Sequence, residues 1–285
     1  MLEIRTLAPG QSAASQRWDE FVMACPTASF FHRAGWQRIM GEVFRHKTYF
    51  LYAQSQGRIQ GVLPLAHVHS LLFGNALVGL PFAVYGGVAA VTPQAAAALE
   101  AEAQCIARRL GVAHLELRNT SQRNANWPMQ DIYVTFRKAL FEKDEDNLQA
   151  IPRKQRAMVR RGIKNGLLSA IDPGLDRFFA LYADNMLRHG TPALPLRYFK
   201  ALQAEFGSDC EVLTVSTSQG QALSSVLSFY FRDEVLPYYA GDAVAARALA
   251  ANDLKYWELM RRACQRGSRV FDYGRSKQGT GSFAF

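Results

Sequence analysis

Cysteine is scarce and scattered in this chain: Cys25, Cys105, Cys210 and Cys264 are the 4 in 285 residues, with no CxxC pair and no histidine at zinc-finger spacing. A disulfide framework and a zinc module are therefore excluded, and the four read as small core residues of a protein kept in a reducing compartment. Three other signatures are missing as well. No GxSxG elbow, no HExxH and no GxGxxG after a strand occurs, so serine hydrolase, zincin and dinucleotide-binding readings lose their supports, and no metal-ligand set is expected. Acid is short relative to base, with Asp+Glu 24 against Lys+Arg 33 and a net charge of +9, which favours polyanionic ligands such as nucleic acid, nucleotides, phosphorylated sugars or anionic lipid. The first residues, MLEIRTLAPG, lack the basic start and apolar block of a secretory signal, which predicts a cytoplasmic protein.

Charge is absent altogether between Ile59 and Leu99. A membrane-spanning helix needs about 20 apolar residues that stay helical, whereas Pro64, Gly74, Asn75, Gly79, Pro81, Gly86 and Gly87 interrupt this run. Buried strands joined by turns are expected there instead. What is present in quantity is core-forming material, 49% hydrophobic residues, enough for two domains.

The first half reads as strand 47–55, a turn at Gly57, strand 58–68, a Gly/Pro-punctuated apolar stretch, then a helix and a strand from Val112 to Leu117. That helix has Thr92 as cap, Pro93 in its first turn and Gly111 as its stop. The second half repeats the order: strand 210–217, a turn at Gly220, strands 221–231 and 235–240, a helix capped by Asn252 with an apolar stripe of Leu254, Trp257, Met260 and Cys264, a stop at Gly267, and a last strand to Tyr273. The turns at Gly57 and Gly220 and the final strands at Val112 and Ser268 recur at nearly the same offset, which predicts two copies of one α/β unit, residues 1–145 and 146–285.

At the junction, the acidic patch 142–146 precedes IPRKQRAMVRRGIKNG, which carries six cations and no acid. As a helix it places Arg153, Arg156, Arg160 and Lys164 on one face. That face is either a solvated surface or a wall that binds phosphates, and the second alternative predicts binding that weakens with salt. The closing FDYGRSKQGTGSF joins Asp272, at a strand end, to Arg275, Lys277 and several glycines. Its order is wrong for a Walker loop, yet a Gly-rich turn with two cations can present N–H groups to an oxyanion; a plain surface turn is the other possibility. His67 and His69 share one strand face and read as strand residues, and His189 reads as a helix C-terminal cap. Tyr238, Tyr239, Tyr256, Trp257 and Tyr273 converge on the second unit, mostly as core, with a Tyr of YYAGD free to turn its hydroxyl into a cleft.

With these segments in view, the chain resembles the FemAB-related proteins of the GNAT superfamily, in particular the branch associated with exosortase (PEP-CTERM) and exopolysaccharide loci, which carries a BioF2-like acetyltransferase domain. The resemblance runs through FFHRAGWQRIM, LPFAVYGGV, IPRKQRAMVRRGIKNGL, YYAGDAVAARALAANDLKYWELMRRACQRG and FDYGRSKQGTGSFAF. It implies an α/β (α+β) fold of two tandem GNAT-like domains, each a mixed, mostly antiparallel sheet flanked by helices, with a cleft between them. The implied activity is N-acyltransfer: an acyl or aminoacyl group moved to an amine of a cell-envelope or exopolysaccharide precursor. The donor would be aminoacyl-tRNA or acyl-CoA, with no tightly bound cofactor. The acceptor would be a glycan or peptide precursor, tRNA would be a partner, and peripheral contact with the inner membrane is compatible with the basic surface.

The resemblance places acceptor binding at Tyr239 and a basic residue facing the cleft at Arg188; with them Tyr198 is expected to bind the acceptor, Arg275 and Lys277 to meet donor or acceptor phosphates, and Asp272 either to orient or deprotonate the amine or to cap a turn, which makes Asp272 and Lys277 the catalytic candidates. Arg153, Arg156, Arg160 and Lys164 serve the polyanion. The family pattern continues into a Phe-Lys-x-x-Trp/Phe segment whose Lys stabilises the transferring carbonyl, and the sequence ends at Phe285, where that Lys would come next; a chain lacking it is expected to fold with catalysis impaired. GDAVAARALAAND also lacks the Gly-rich pyrophosphate turn of acetyl-CoA enzymes. Two other readings use the same residues: an acetyl-CoA-dependent N-acetyltransferase, and a non-catalytic protein that binds RNA or a lipid-linked glycan.

Overall fold

The computed structural model describes residues 1–70 and 74–279. The chain divides into two compact units, Met1–Gln130 and Asp131–Phe285. The division falls earlier than the expected 145/146 boundary for a reason the sequence pattern does not contain. The strand Tyr133–Ala139 pairs antiparallel with the last strand of the chain, from Val270↔Ala139 to Lys277↔Tyr133, and so belongs to the second sheet.

In the first unit the order is β1 (Leu2–Leu7), α1 (Ser12–Ala24), α2 (Gly35–Phe44), β2 (Lys47–Ser55), β3 (Arg58–Ser70), β4 (Gly74–Val78), β5 (Ala89–Ala90), α3 (Pro93–Leu110) and β6 (His114–Glu116). The sheet runs β1-β2-β3-β4-β6 with β5 on β3. β4 and β6 form a parallel pair bridged by α3, while the remaining pairs are antiparallel. The signals for α3 are realised: the Ala95 N–H donates to Thr92 Oγ1 at 3.2 Å, and Gly111 closes the helix in the left-handed region at φ 60°. The charge-free segment supplies buried strand residues such as Val62, Leu63, Leu65 and Leu77, all 0% exposed. Among the described residues no helix is long and apolar enough to cross a membrane.

The second unit contains β7 (Tyr133–Ala139), α4 (Asp144–Gln149), α5 (Arg153–Lys164), β8 (Leu168–Asp172), α6 (Asp176–Arg188), α7 (Leu196–Phe206), β9 (Cys210–Ser216), β10 (Ala222–Phe231), β11 (Glu234–Asp242), α8 (Ala246–Leu249), α9 (Ala251–Gln265) and β12 (Val270–Lys277). The strand order is β7-β12-β11-β10-β9-β8, with β11 and β12 the parallel pair bridged by α9. Each unit thus has a hairpin, a third strand, a crossover helix and a parallel return strand, the repeated order read from the sequence. Helix α9 buries Leu254, Trp257, Leu259 and Met260 against the sheet. Its start differs from expectation. Asn252 does not cap it; Ala250 holds the N-cap position at φ 60° with no side-chain cap, because α8 occupies the preceding link and runs directly into α9.

Two of the four cysteines, Cys25 and Cys210, are buried as expected, whereas Cys105 is exposed and Cys264 half-buried. His67 hydrogen-bonds Asn75 Oδ1 at 2.6 Å within the sheet, and His189 Nδ1 lies 2.6 Å from Asn185 O at the C-terminus of α6. No cluster of metal-binding side chains occurs among the described residues.

Candidate active site in the second unit

β11 and β12 pair over only two residues, Glu234↔Val270 and Val235↔Phe271. Both strands continue, β11 to Asp242 and β12 to Lys277, so the sheet opens between them. β12 turns instead to β7, with a register shift between Asp272 and Arg275. On its other side β11 stays with β10, but the ladder shifts register at a bulge, passing from Leu227↔Tyr239 to Ser228↔Pro237. A bulge of this kind releases backbone polar groups from the ladder and re-aims side chains. The opening is bordered by β11 beyond Val235 and by β12 beyond Phe271, the stretches that no longer pair with each other.

The sequence-predicted residues take distinct positions around this opening. Asp272, 3% exposed, sits where the strands part. Its Oδ1 accepts the Gly274 N–H at 2.7 Å and its Oδ2 lies 3.6 Å from Arg137 Nε, so it fastens the turn in β12. Tyr239 points to the face covered by α6 and α7, within an aromatic cluster of Tyr182, Tyr198 and Phe199. Tyr198 is wholly buried, and its hydroxyl meets that of Tyr239 at 3.0 Å. Burial raises both phenols well above their ordinary pKa, keeping them protonated donors. Arg188 closes α6, pairs with Asp184 Oδ2 at 3.0 Å, and donates to the main-chain carbonyl of Asp242 at the end of β11. Arg275 is exposed with its guanidinium 4.1 Å from the centre of the Tyr133 ring, and Lys277 is exposed at the end of β12. The last part of the Gly-rich motif, 280–285, lies outside the described residues.

Arg188 and Tyr239 thus come to the same strand end, while Arg275 and Lys277 stand on the far strand. Arg153, Arg156, Arg160 and Lys164 all lie on α5, which packs against α9. The helix buries Val159 and Gly162; a Cβ on Gly162 would stand 3.0 Å from Leu254 Cβ. Its opposite side carries the cations. No carboxylate among the described residues pairs with Arg153, Lys154, Arg156, Arg160, Arg161 or Lys164.

Sequence reasoning missed a buried charge group at the end of β11. Lys255 is 0% exposed, and its Nζ lies 3.1 Å from Asp242 Oδ1, which also accepts from Ser224 Oγ. Desolvation lowers the Lys255 pKa despite Asp242 and, further off, Asp253. The Asp242 side chain is 34% exposed, so the lysine backs a carboxylate that reaches solvent. A lysine beside an apolar helical stripe was the only sequence signal; its partner, on another element, becomes visible only when α9 folds onto β11. A separate cavity of about 380 Å³ lies on the α9 face, walled by α9, β12, β7 and the start of α5.

The second unit is a mixed sheet that opens beside its crossover helix, with a charged group at the end of β11. Residues 149–282, which lie in the second unit, match the family model described as the acetyltransferase (GNAT) domain. Among particular proteins, the chain is similar to a UDP-N-acetylmuramoylpentapeptide-lysine N(6)-alanyltransferase of Weissella viridescens, 24% identical over 259 residues that cover 80% of this chain and 74% of the relative. Its fold is similar to the crystal structure of FemX, with TM-score 0.71 and 14% identity over 98% of this chain and 90% of that one. A tandem GNAT protein from the clavulanic acid biosynthesis pathway aligns with TM-score 0.58 and 13% identity, covering 100% of this chain and 92% of its own. Two GNAT-type sheets flanked by helices account for the repeated order of elements.

Proposed function

We propose that the protein is an N-acyltransferase that moves an aminoacyl group from aminoacyl-tRNA to an amine of a cell-wall precursor. The observation that carries this reading is the similarity to the alanyltransferase across 80% of the chain. On this reading the reaction takes place at the opened β11/β12 sheet of the second unit, where the two strands pair over only two residues. The amine, held neutral, attacks the ester carbonyl. A C–N bond forms, the ester C–O bond breaks, and the proton lost by nitrogen ends on the departing ribose hydroxyl. Charge that gathers on the carbonyl oxygen meets backbone N–H groups of the bulged segment around Tyr238. Asp242, its Oδ1 held by Lys255 and Ser224, accepts a hydrogen bond from the neutral amine and orients it for attack. Arg188 and Tyr239 hold the acceptor, with Tyr198 acting through the Tyr239 hydroxyl. Arg275 and Lys277 meet phosphates, and Asp272 shapes the β12 turn. The cations of α5 bind the donor's phosphate backbone.

The test is discharge of radiolabelled alanyl-tRNA in the presence of a UDP-linked muramoyl pentapeptide, with acetyl-CoA as a parallel donor. Labelled precursor formed from the tRNA supports the reading; acetylated precursor formed from acetyl-CoA alone would replace it with an acetyltransferase. Asp242→Asn should retain precursor binding and lower kcat by about 10²-fold or more, the scale of a lost proton-handling or orienting group.

A further inference from the structure

At the end of β11 one carboxylate oxygen is saturated and the other is open. Asp242 Oδ1 accepts from Lys255 Nζ at 3.1 Å and from Ser224 Oγ, whereas nothing among the described residues bonds Oδ2, and the side chain is 34% exposed. Lys255 itself is wholly buried. It pairs with no other carboxylate among the described residues, and its Nζ lies 5.2 Å from the centre of the Tyr256 ring. The surrounding charges leave this pair intact. Asp253 acts on Lys255 from further off, along α9, and β10 brings only the neutral Ser224. From α6, Arg188 reaches the main-chain carbonyl of Asp242 and is itself paired with Asp184. Arg247 of α8 is exposed, and α5 meets α9 through its buried Gly162 side, with its cations on the other.

A carboxylate standing alone would hold an amine as its ammonium, which has no lone pair with which to attack a carbonyl. Paired with a buried ammonium, the same carboxylate carries no net charge. A nitrogen bonded to Oδ2 then lies across the carboxylate from Lys255 Nζ, at the separation of about 4–6 Å over which a like charge disfavours ionisation. We infer that Lys255 keeps the acceptor amine neutral: it cancels the charge of Asp242, so that Oδ2 takes a neutral N–H and the proton of the free ammonium passes to solvent as the acceptor binds. The inference rests on the transferase reading for the identity of the amine. Lys255 meets no substrate and acts through Asp242, as a positioning residue. Ser224 fixes the same oxygen without supplying charge, which separates orientation from neutralisation.

The test is titration calorimetry of the full chain with a lysine-containing UDP-linked muramoyl pentapeptide, in two buffers of different ionisation enthalpy, which counts the protons released on binding. A free lysine amine, with a pKa of about 10.4, is protonated at neutral pH, so the unaltered protein should release about one proton. The same precursor acetylated on its lysine Nε should release none. Lys255→Met should bind the amine with release of about half a proton or less, because loss of the like charge raises the pKa of the bound amine by about 1–3. Transfer kinetics should split in the same way. In the unaltered protein KM falls as pH rises while kcat stays level; in Lys255→Met kcat is lower by about tenfold or more near pH 7 and recovers as pH rises, with KM level. Ser224→Ala should lower kcat and keep the parent's proton count and pH profile, and a merely structural role for Lys255 would move neither. Binding of the precursor by the unaltered protein without proton release overturns the inference, with no variant having to fold, and leaves the transferase reading to the transfer assay. Release without transfer overturns the transferase reading alone, and a precursor that does not bind overturns both.

Discussion

Replacing Gly241 by alanine tests whether the strand end that carries Asp242 is placed by direct backbone contact with α6. A Cβ at Gly241 would stand 2.3 Å from Tyr182 N, 2.4 Å from Leu181 C and 2.5 Å from Leu181 O. Ordinary van der Waals contact begins near 3.4 Å, so α6 must retreat by roughly 1 Å, and backbone atoms have no rotamer with which to yield. That movement separates α6 from β11 and disturbs Tyr182 and Phe199, which pack on Tyr239. Overpacking of a tight core costs about 1–3 kcal/mol, and a backbone clash belongs at or above the top of that range. Retreat of α6 also draws Arg188 away from the Asp242 carbonyl, so acceptor binding should suffer beyond the loss of stability. The assay is equilibrium urea unfolding of Gly241→Ala beside Gly220→Ala, whose added Cβ meets nothing within 4 Å and strains only a residue at φ +86°. The first variant should lose about 3 kcal/mol or more with an unchanged m-value, the second about 1. If Gly241→Ala stays within 1 kcal/mol of the parent, the close approach of β11 to α6 is wrong and the placement of Asp242 with it.

Asn147→Ala should cost about 2–3 kcal/mol in the same assay, because this 1% exposed side chain bonds the Phe141 N–H at 2.9 Å and its carbonyl at 2.7 Å and no water can replace it; a loss below 0.5 would refute that. Burial raises Tyr256 and Tyr273 to about 12, so their contribution to stability is full below pH 10 and falls as pH rises from 10 to about 12, by about 1.4 kcal/mol per pH unit for each. Melts between pH 9 and 11, read with phenolate absorbance, check this, and ionisation of all 11 tyrosines of the native protein near pH 10 would contradict it. Lys255 has the opposite sign: its folded-state pKa lies below 10.5, so the unfolded chain binds more protons as pH approaches that value and the folded state gains. The unaltered protein should therefore gain stability relative to Lys255→Met as pH rises toward 10.5, and parallel stability curves would refute the burial of the ammonium.

Local signals carried much of the architecture. Thr92, Pro93 and Gly111 bounded α3 because caps and stops act within a few residues of themselves. Glycine turns and alternating apolar runs located the two hairpins, and their recurrence revealed the duplicated order before any strand was paired. The cap of α9 was misread because Asn252 satisfies the rule for an isolated helix, while α8 supplies the actual entry. The boundary between the units was displaced for a similar reason: β7 has no partner near it in sequence, and its pairing with β12 closes a loop of more than a hundred residues.

Charge, composition and helical spacing by themselves determined that α5 is a cationic surface and that Arg188 ends α6, since these follow from order along the chain; Asp272, expected at a strand end, lies inside β12, which runs on to Lys277. Only the folded unit decided what those ends do. It spent Asp272 on the Gly274 turn, sealed Tyr198 behind Tyr239, and set Lys255 beneath Asp242. It also parted β11 from β12 and left an aromatic cavity beneath α5. Periodicity reports the face on which a side chain lies. Its partners, its loss of water and the space beside it depend on segments distant in sequence, which meet only when the sheet and its helices pack.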